Sequence, residues 1–417
     1  MTADLLEQPV TGTRAADPVF TGIGVTAPNG LGTEAWWRAT LAGESGIRPV
    51  RRFDAARYPA TLAGEVAGFD PKEHIPNRLI PQTDHMTQLA LVAAEEAIGD
   101  AEVELAELPQ YAAGVVTAAS AGGFEFGQRE LEALWSKGGQ HVSAYQSFAW
   151  FCAVNTGQIS IRHNLRGPSG VLVSEQAGGL DAVAQARRQL RRGSSLMVTG
   201  GVDGSICPWG WAAHLAGGRI STAADPERAY LPFDRDAAGH VPGEGGAILV
   251  LEDAEAARAR GARAYGALAG YAATFDPAPG TGGPPGLQRA AELALSEAGL
   301  TVNQIDVVFA DAAGVPELDR AEAAAITALF GRSGVPVTAP KTMTGRLAAG
   351  GASLDLAAAL LSLRDAVIPP TVNVGPLAEG CELDLVTEAR PGPLRAALVL
   401  ARGYNGFNAA AVVTAAQ

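Results

Sequence analysis

Two successive cycles of strand-like and helix-like segments are the feature that most limits the folds open to this chain. Short apolar runs rich in β-branched residues alternate with longer segments whose apolar residues recur at helical spacing. A second cycle of similar order begins around Tyr265. Such alternation is typical of mixed or parallel sheets covered by helices, and it predicts an α/β protein.

The predicted elements run from Pro18 to the C-terminus, after a polar tail over residues 1–17. Strands are predicted near 19–25 and over 114–118, 196–202, 247–251, 305–310, 396–401 and 409–413, and helices over 83–99, 179–192, 287–298, 319–330 and 351–365. Separate domains would need a linker, and the proline- and glycine-rich segment 275–286 is interpreted as a loop. We therefore expect one domain of two related halves, about 18–264 and 265–417, that share a core.

Composition excludes several classes of protein. The net charge of −13 argues against nucleic-acid binding. Cys152, Cys207 and Cys381 lie outside any CxxC or histidine-flanked spacing, and the six histidines show no metal-ligand spacing, so neither a disulfide framework nor a metal site is expected. No segment has the length of a membrane span, and the N-terminus lacks a secretory signal, so a cytoplasmic protein without cofactors is expected.

The segment VSEQAGGLDA, residues 173–182, combines the end of a strand with the start of a helix. The β-branched run 171–173 precedes it, and the apolar residues from Leu180 onward recur at helical spacing. Enzymes often place a nucleophile at such a turn, because the helix N-terminus stabilises negative charge there. Here the position holds Gln176, whose carboxamide cannot attack a thioester. The local pattern alone also fits a turn glutamine without any role.

Several longer segments resemble the β-ketoacyl synthases of fatty acid and polyketide assembly. The resemblance rests on VSEQAGGLDA, PFDRDAAGHVPGEGGAILVLEDAEAARARGA, PKTMTGRLAAGGASLDLAAALLSLRDAVIPPTVNV and RGYNGFNAA, and it extends from about Val19 to the C-terminus. It is strongest for the chain-length factors, the KSβ subunits of type II polyketide synthases, in which glutamine occupies the nucleophile position. The resemblance implies a thiolase-like fold: two pseudo-repeated halves with mixed five-stranded sheets in an αβαβα arrangement.

The resemblance also locates the positions that are catalytic in condensing members of the family. These members have a cysteine at the elbow, a histidine in His-Gly-x-Gly-Thr, and a lysine and a second histidine in Lys-x-x-x-Gly-His. Counting back without gaps from Asp319 and Glu322 places Asp311 at the first histidine, while Arg346 occupies the second and Lys341 keeps the lysine. Only the lysine is therefore retained, and the opposite charges of Asp311 and Arg346 predict a salt bridge that fills the former pocket.

By resemblance, this chain pairs with a homologous KSα subunit and receives a chain carried by acyl carrier protein. The size-determining tunnel positions would be Phe124, Gly127, Leu131 and Phe148. The first three share one face of a predicted helix over 122–135. Periodicity alone fits a core-facing stripe equally well. If these residues line the tunnel, the missing side chain at Gly127 predicts a long cavity and a product beyond the octaketide size.

Tyr404 and Asn405 replace a phenylalanine and a glycine in the loop that forms a gate in condensing members. Tyr404 is accordingly the candidate gate residue, in a loop expected to be stiffer than that of those relatives.

Two other functions stay open from the sequence. Gln176 resembles an acylated cysteine in shape, so the chain could decarboxylate malonyl-carrier protein to supply a primer, although the loss of both histidines removes the usual enolate donors. A stand-alone condensing enzyme would need one of the three cysteines as its nucleophile, and none of them lies at a strand-turn-helix elbow.

Overall fold

The fold comes from a computed structural model, which describes residues 17–278, 281 and 285–416. The polar tail over 1–16 and most of the 279–284 loop segment therefore lie outside the described residues. The strands are β1 (Val19–Ala27), β2 (Gly30–Leu31), β3 (Ile47–Pro49), β4 (Leu62–Gly64), β5 (Ala113–Ala118), β6 (Ser169–Leu172), β7 (Leu196–Asp203), β8 (Gly245–Glu252), β9 (Gly266–Phe275), β10 (Val307–Phe309), β11 (Pro336–Thr338), β12 (Val367–Ile368), β13 (Asp384–Leu385), β14 (Arg390–Pro391), β15 (Ala396–Arg402) and β16 (Phe407–Ala415).

Helices connect and cover these strands. The α-helices are α1 (Thr33–Leu41), α2 (Pro71–His74), α3 (His85–Asp100), α4 (Phe124–Lys137), α5 (Gln146–Ala149), α6 (Val154–His163), α7 (Gly178–Leu190), α8 (Pro208–Ala216), α9 (Ala254–Ala259), α10 (Gly286–Ala298), α11 (Pro316–Phe330) and α12 (Ala349–Asp365). Short 3₁₀ helices cover Ile80–Gln82, Leu105–Glu107, Gly139–His141, Glu175–Ala177, Pro226–Arg228, Val302–Gln304, Pro340–Met343 and Tyr404–Gly406.

Two sets of five strands have the same order and the same directions. The first set lies in the order β1-β8-β7-β5-β6 and the second in the order β9-β16-β15-β10-β11. In each set the second strand along the chain pairs in parallel with the third and the fourth, while the fifth pairs antiparallel with the fourth and the first. The expectation of two pseudo-repeated halves is confirmed.

The two sets are hydrogen-bonded to each other, which the sequence did not indicate. Val19 pairs with Ala267 and Phe20 with Gly266, so β1 and β9 join the sets edge to edge. Together with β2, which pairs with β1, and β13, which pairs with β11, the two sets form one 12-stranded mixed sheet, while β3 with β4 and β12 with β14 form two-stranded sheets. The division of the chain at 264/265 stays a prediction.

The helices form three layers around the two sets of strands. α3 and α6 cover the first set, α10 and α11 cover the second, and α7 and α12 lie between them, as the expected αβαβα order requires. In α12 every residue from Ala349 to Leu363 is buried. Small residues allow this close approach: a Cβ at Gly179 of α7 would lie 2.7 Å from the backbone nitrogen of Ser353.

Most of the predicted elements are present, with shifts of a few residues at their ends. α11 begins at Pro316, three residues before the predicted start, and β10 is limited to Val307–Phe309. The loop prediction for 275–286 holds for its described part, because β9 ends at Phe275 and α10 begins at Gly286.

Candidate functional site

The turn between β6 and α7 is the elbow that the sequence predicted. A 3₁₀ helix over Glu175–Ala177 leads directly into α7. Glu175 has a φ of 50°, in the left-handed region that non-glycine residues rarely adopt. This strained residue turns the chain sharply and places Gln176 next to the first turn of α7, at the central layer of the molecule.

Gln176 is fully buried and points at α12. A Cβ at Gly351 would overlap the carboxamide of Gln176, so a larger residue at this position of α12 would have to displace that side chain. Neither Oε1 nor Nε2 has a hydrogen-bond partner within the described part of the chain. A buried, unpaired amide costs about 1–3 kcal/mol for each unmet group, so this residue is not optimised for stability alone.

Asp311 and Arg346 form the ion pair that their opposite charges predicted. Arg346 Nη1 lies 3.1 Å from Asp311 Oδ2, and Arg346 Nη2 lies 3.2 Å from Asp311 Oδ1. Asp311 follows β10, whereas Arg346 precedes α12. The end of β15 completes the arrangement, because the Arg402 N–H donates to Asp311 Oδ1 and the Arg402 carbonyl accepts from Arg346 Nη2.

The elbow carries a second acidic partner for this arginine. Glu175 Oε2 lies 3.5 Å from Arg346 Nη2, so two carboxylates face one guanidinium. Burial would raise the pKa of Asp311, but the charges of Arg346 and Lys341 outweigh burial and hold this pKa below its usual range. Asp311 and Arg346 are therefore both charged at neutral pH.

Lys341 is buried, and its ammonium group has two partners. Its Nζ lies 2.6 Å from Asp355 Oδ2 of α12 and donates to the Ala310 carbonyl at 2.5 Å. The retained lysine thus connects α12 to the end of β10.

Two buried carboxyls of α11 hold the loop that carries Asp311. The Asp311 and Ala312 N–H groups donate to Glu322, and the Phe233 and Gly314 N–H groups donate to Asp319. Burial raises the pKa of both carboxyls to about 7. In the sequence, Asp319 and Glu322 served only as reference positions for locating Asp311. Their three-residue spacing at the start of a helix, after a turn that contains a glycine, is the pattern that could have identified them as buried carboxyls of the site.

Two pockets flank the charged cluster. The Arg402 pocket, of about 390 Å³, also includes Arg219, Asp276 and Asp311, and the Phe124 pocket, of about 280 Å³, includes Ser120, Phe124, Asp203, Ser205 and His214. The residues that line both pockets are Glu175, His240, Arg346 and Tyr404. The charged cluster therefore forms part of a partition between two cavities.

Two family models match this chain. The model of the β-ketoacyl synthase N-terminal domain matches residues 17–257, and that of the C-terminal domain matches residues 265–375. The chain belongs to the β-ketoacyl synthase family.

Several similar relatives belong to one branch of that family. The chain is 61% identical over 397 residues to "Actinorhodin polyketide putative beta-ketoacyl synthase 2" of Streptomyces coelicolor, covering 95% of this chain and 98% of the relative. It is 60% identical over 402 residues to "Tetracenomycin polyketide synthase ketoacyl synthase beta subunit" of Streptomyces glaucescens, with the same coverage. The resemblance to the chain-length factors, the KSβ subunits, is confirmed.

Solved structures show the same fold. The ishigamide ketosynthase/chain length factor superposes with a TM-score of 0.88 at 27% identity, covering 97% of this chain and all of that one. A type II polyketide synthase acyl-carrier protein in complex with its ketosynthase bound to the hexaketide gives a TM-score of 0.86 at 25% identity, covering 97% of this chain and all of the matched one. The thiolase-like fold of the β-ketoacyl synthases is confirmed.

The four tunnel candidates do not share one cavity. Phe124 lines the Phe124 pocket and stacks on Trp209, with ring centroids 4.5 Å apart. Phe148 lies instead in an apolar groove of about 490 Å³, together with Phe151 and Ile161. Leu131 is half-buried in α4 and lines neither of these cavities.

The space beside Gly127 is occupied, contrary to the expectation of a longer cavity there. A Cβ at Gly127 would lie 2.7 Å from Trp150 Cδ1 and 3.2 Å from Trp209 Cζ3. The space left by the missing side chain is thus filled by two indoles from other parts of the chain. Trp150 is partly exposed, so the room beside Gly127 depends on where the Trp150 side chain lies.

Tyr404, the candidate gate residue, lies at the partition between the two pockets. Its ring stacks under the Arg219 guanidinium at 4.6 Å, and its hydroxyl would lie 3.0 Å from a Cβ at Gly217. The following residue, Asn405, has a φ of 62°, which asparagine tolerates better than most residues. A gating role for Tyr404 stays a prediction.

Three residues of the site were not found from the sequence. Ser205, His214 and His240 line the Phe124 pocket, but the histidines were considered only as metal ligands. Within the described ranges, no cluster of three or more His, Cys, Asp or Glu side chains is placed to hold a metal ion. In the same part of the chain, no helix is long and apolar enough to cross a membrane.

Proposed function

We propose that this chain is the non-nucleophilic subunit of a heterodimeric type II ketosynthase. As a ketosynthase-type acyltransferase subunit in the cytoplasm, it pairs with a KSα and sets the length of the poly-β-ketone that the complex builds from malonyl-carrier protein. The observation that carries this proposal is Gln176 at the elbow, next to the Glu175–Arg346–Asp311 cluster.

The chemistry of these positions supports a chain that does not condense. A carboxamide cannot hold the acyl chain as a thioester. Decarboxylative condensation also needs neutral imidazoles to stabilise an enolate, whereas Asp311 would repel it and Arg346 stays protonated and paired. The missing steps must then be supplied by KSα, with the intact cysteine and histidines implied for that subunit.

An exposed apolar surface supports pairing with KSα. β6 ends the sheet, and no described strand pairs with its outer edge. Large apolar side chains are exposed near it on α4, α5, α6 and the adjoining loops: Trp135, Phe148, Trp150, Phe151, Ile161 and Val173. An open strand edge next to such a patch is an association site rather than a stable free surface.

We further propose an acyl carrier protein as a partner of the complex, on the basis of a solved relative. One solved relative is a ketosynthase in complex with its acyl-carrier protein, and type II chains are delivered on such carriers. We infer that carrier-bound malonyl units reach KSα, while this chain contributes Phe124, Gly127, Leu131 and Phe148 to the tunnel wall.

The experiment that tests chain-length control is Gly127→Phe in the complex reconstituted with KSα and malonyl-charged carrier protein. The larger side chain must displace Trp150 or extend into the cavity, so we expect shorter products by mass spectrometry. Ser296→Phe, which adds the same bulk on the exposed side of α10, is the matched control. An unchanged product length with Gly127→Phe would refute chain-length control through α4.

The alternative is a malonyl-carrier-protein decarboxylase that supplies the primer. It would release carbon dioxide from malonyl-carrier protein without KSα, and Gln176→Ala would abolish that release. A non-nucleophilic chain-length factor should instead give no release above the rate of the carrier protein alone.

A further inference from the structure

Ser205 and His214 form a hydrogen-bonded pair in the Phe124 pocket. Ser205 follows the end of β7, and His214 lies in the last turn of α8. Ser205 Oγ lies 2.9 Å from His214 Nε2, and both side chains keep part of their surface accessible to the pocket that they line. In either tautomer the pair still has a donor or acceptor that the mutual hydrogen bond does not use.

His240 adds an independent observation on the same pocket. It is 5% exposed, and its Nδ1 has no hydrogen-bond partner within the described residues. The ring also hydrogen-bonds the Ala313 backbone, so in the neutral ring the unpaired Nδ1 is an acceptor that a donor in the cavity can pair.

Two other polar groups of the pocket already have partners. Asp203 accepts hydrogen bonds from the N–H groups of Ser120, at 2.6 Å, and Gly204, at 2.9 Å. Arg346 is held by Asp311, Glu175 and the Arg402 carbonyl. Glu175 Oε2 has an ion-pair contact with Arg346 but no hydrogen-bond partner within the described residues, and further unused hydrogen-bonding capacity lies on Ser205, His214 and His240.

All three of these side chains are uncharged near neutral pH. Burial lowers the pKa of His214 to about 4, and burial followed by the charge of Arg346 lowers the pKa of His240 well below its usual range. The pocket thus offers hydrogen bonds without a mobile charge or a strong base.

We propose that Ser205 and His214 form a neutral polar seat that hydrogen-bonds ketone oxygens of the growing poly-β-ketone chain, with His240 Nδ1 as an acceptor for an enol hydroxyl of the same chain. This inference rests on the proposed function, because it assigns a ligand to the cavity beside Phe124. It makes these residues determinants of where the chain stops, in addition to the bulky residues of α4.

A poly-β-ketone suits such a seat for a chemical reason. Its carbonyl groups recur on alternate carbons and accept hydrogen bonds, while the methylene groups between them are acidic. A free cation or a strong base in contact with that chain would promote enolate formation and premature ring closure, whereas the Arg346 guanidinium in the pocket wall is held in an ion pair by Asp311. A hydroxyl and weakly basic imidazoles bind the oxygens and leave the methylene protons in place.

The test uses Ser205→Ala and His214→Phe in the complex with KSα and malonyl-charged carrier protein. Each change removes hydrogen bonds from the seat, and Ser205→Ala changes almost no volume. We expect the truncated fraction of products to rise roughly 3- to 10-fold, the effect of one neutral hydrogen bond. Ser296→Ala on the exposed side of α10 is the matched control.

Gly127→Phe, assayed in parallel, separates the two proposals. If it shortens the product while Ser205→Ala leaves the profile unchanged, the seat is wrong and chain-length control stands. If neither variant alters the profile, the proposed function itself fails. Should His214→Phe prevent heterodimer formation on size-exclusion chromatography, Ser205→Ala alone decides the outcome.

Discussion

The guanidinium of Arg346 forms a two-point ion pair with the carboxylate of Asp311, in the interior beside Gln176. Both side chains are almost completely buried, and each charge also contacts the backbone of Arg402. A buried pair of this kind stabilises little by itself, because desolvation offsets most of its attraction. Loss of the two partners has unequal consequences: Asp311 without Arg346 would be a buried charge without its ion-pair partner, whereas Arg346 without Asp311 would still face Glu175.

Arg346→Met should therefore lower the free energy of unfolding by about 3–5 kcal/mol, because it leaves Asp311 charged and unpaired. Adding Asp311→Leu should recover most of that loss. Urea unfolding of the purified chain measures both effects. The control is Arg228→Met, which breaks the exposed pair with Asp236 and should cost no more than about 1 kcal/mol. Equal losses from Arg228→Met and Arg346→Met would contradict this account.

Asp319 should make stability depend on pH. Burial raises its pKa from 3.8 to about 7, so the folded chain binds a proton that the unfolded chain has released. Its contribution to the free energy of unfolding is complete below about pH 4 and is lost as the pH rises through about 7. The loss amounts to roughly 4 kcal/mol. Asp319→Asn should remove that part of the pH dependence in urea unfolding, while the exposed Glu317→Gln should retain it. If the free energies of unfolding of wild type and Asp319→Asn change in parallel with pH, Asp319 does not cause this pH dependence.

Gln176→Cys should not restore condensation by this chain. The new thiol would stand at the elbow, but Asp311 and Arg346 would still replace the proton-transferring and enolate-stabilising groups. Assayed without KSα, the variant should form no β-ketoacyl product from acyl- and malonyl-carrier protein. The assay is mass spectrometry of the carrier-bound species.

Intact-mass analysis of the same samples shows whether the thiol introduced by Gln176→Cys accepts an acyl group, and the wild-type chain, which has no thiol at the elbow, is the control. Multiple turnovers by the variant alone would show that the elbow residue is the only missing group.

Ile161→Asp should disrupt the heterodimer. Ile161 is 76% exposed on α6, within the apolar surface next to β6, and a carboxylate there would have to be desolvated on association. Size-exclusion chromatography with light scattering on the co-expressed subunits should show dissociation. Ser296→Asp, on the opposite outer layer, should leave the complex intact. If the Ile161→Asp variant assembles normally, α6 is not part of the interface.

Local features explain what could be predicted from the sequence about the site. The elbow followed from the change of period between the run before Gln176 and the residues after Leu180, and these are neighbours along the chain. The ion pair followed from the residue types at Asp311 and Arg346 once their positions were known by resemblance.

The contents of the cavities did not follow from the sequence. Gly127 suggested free space, but Trp150 and Trp209 occupy it, and they belong to the end of α5 and the start of α8. Phe148 was grouped with Phe124, yet the two residues line different cavities.

The sequence by itself determined the alternation of strands and helices, the elbow with a residue that cannot attack, and the opposite charges of Asp311 and Arg346. Only the tertiary structure decided that Ser205, His214 and His240 line one cavity, and that a charged partition separates it from the Arg402 pocket. The physical reason is that periodicity and residue chemistry act between neighbours along the chain, whereas a cavity is defined by side chains from elements that meet only when the sheets and helices pack.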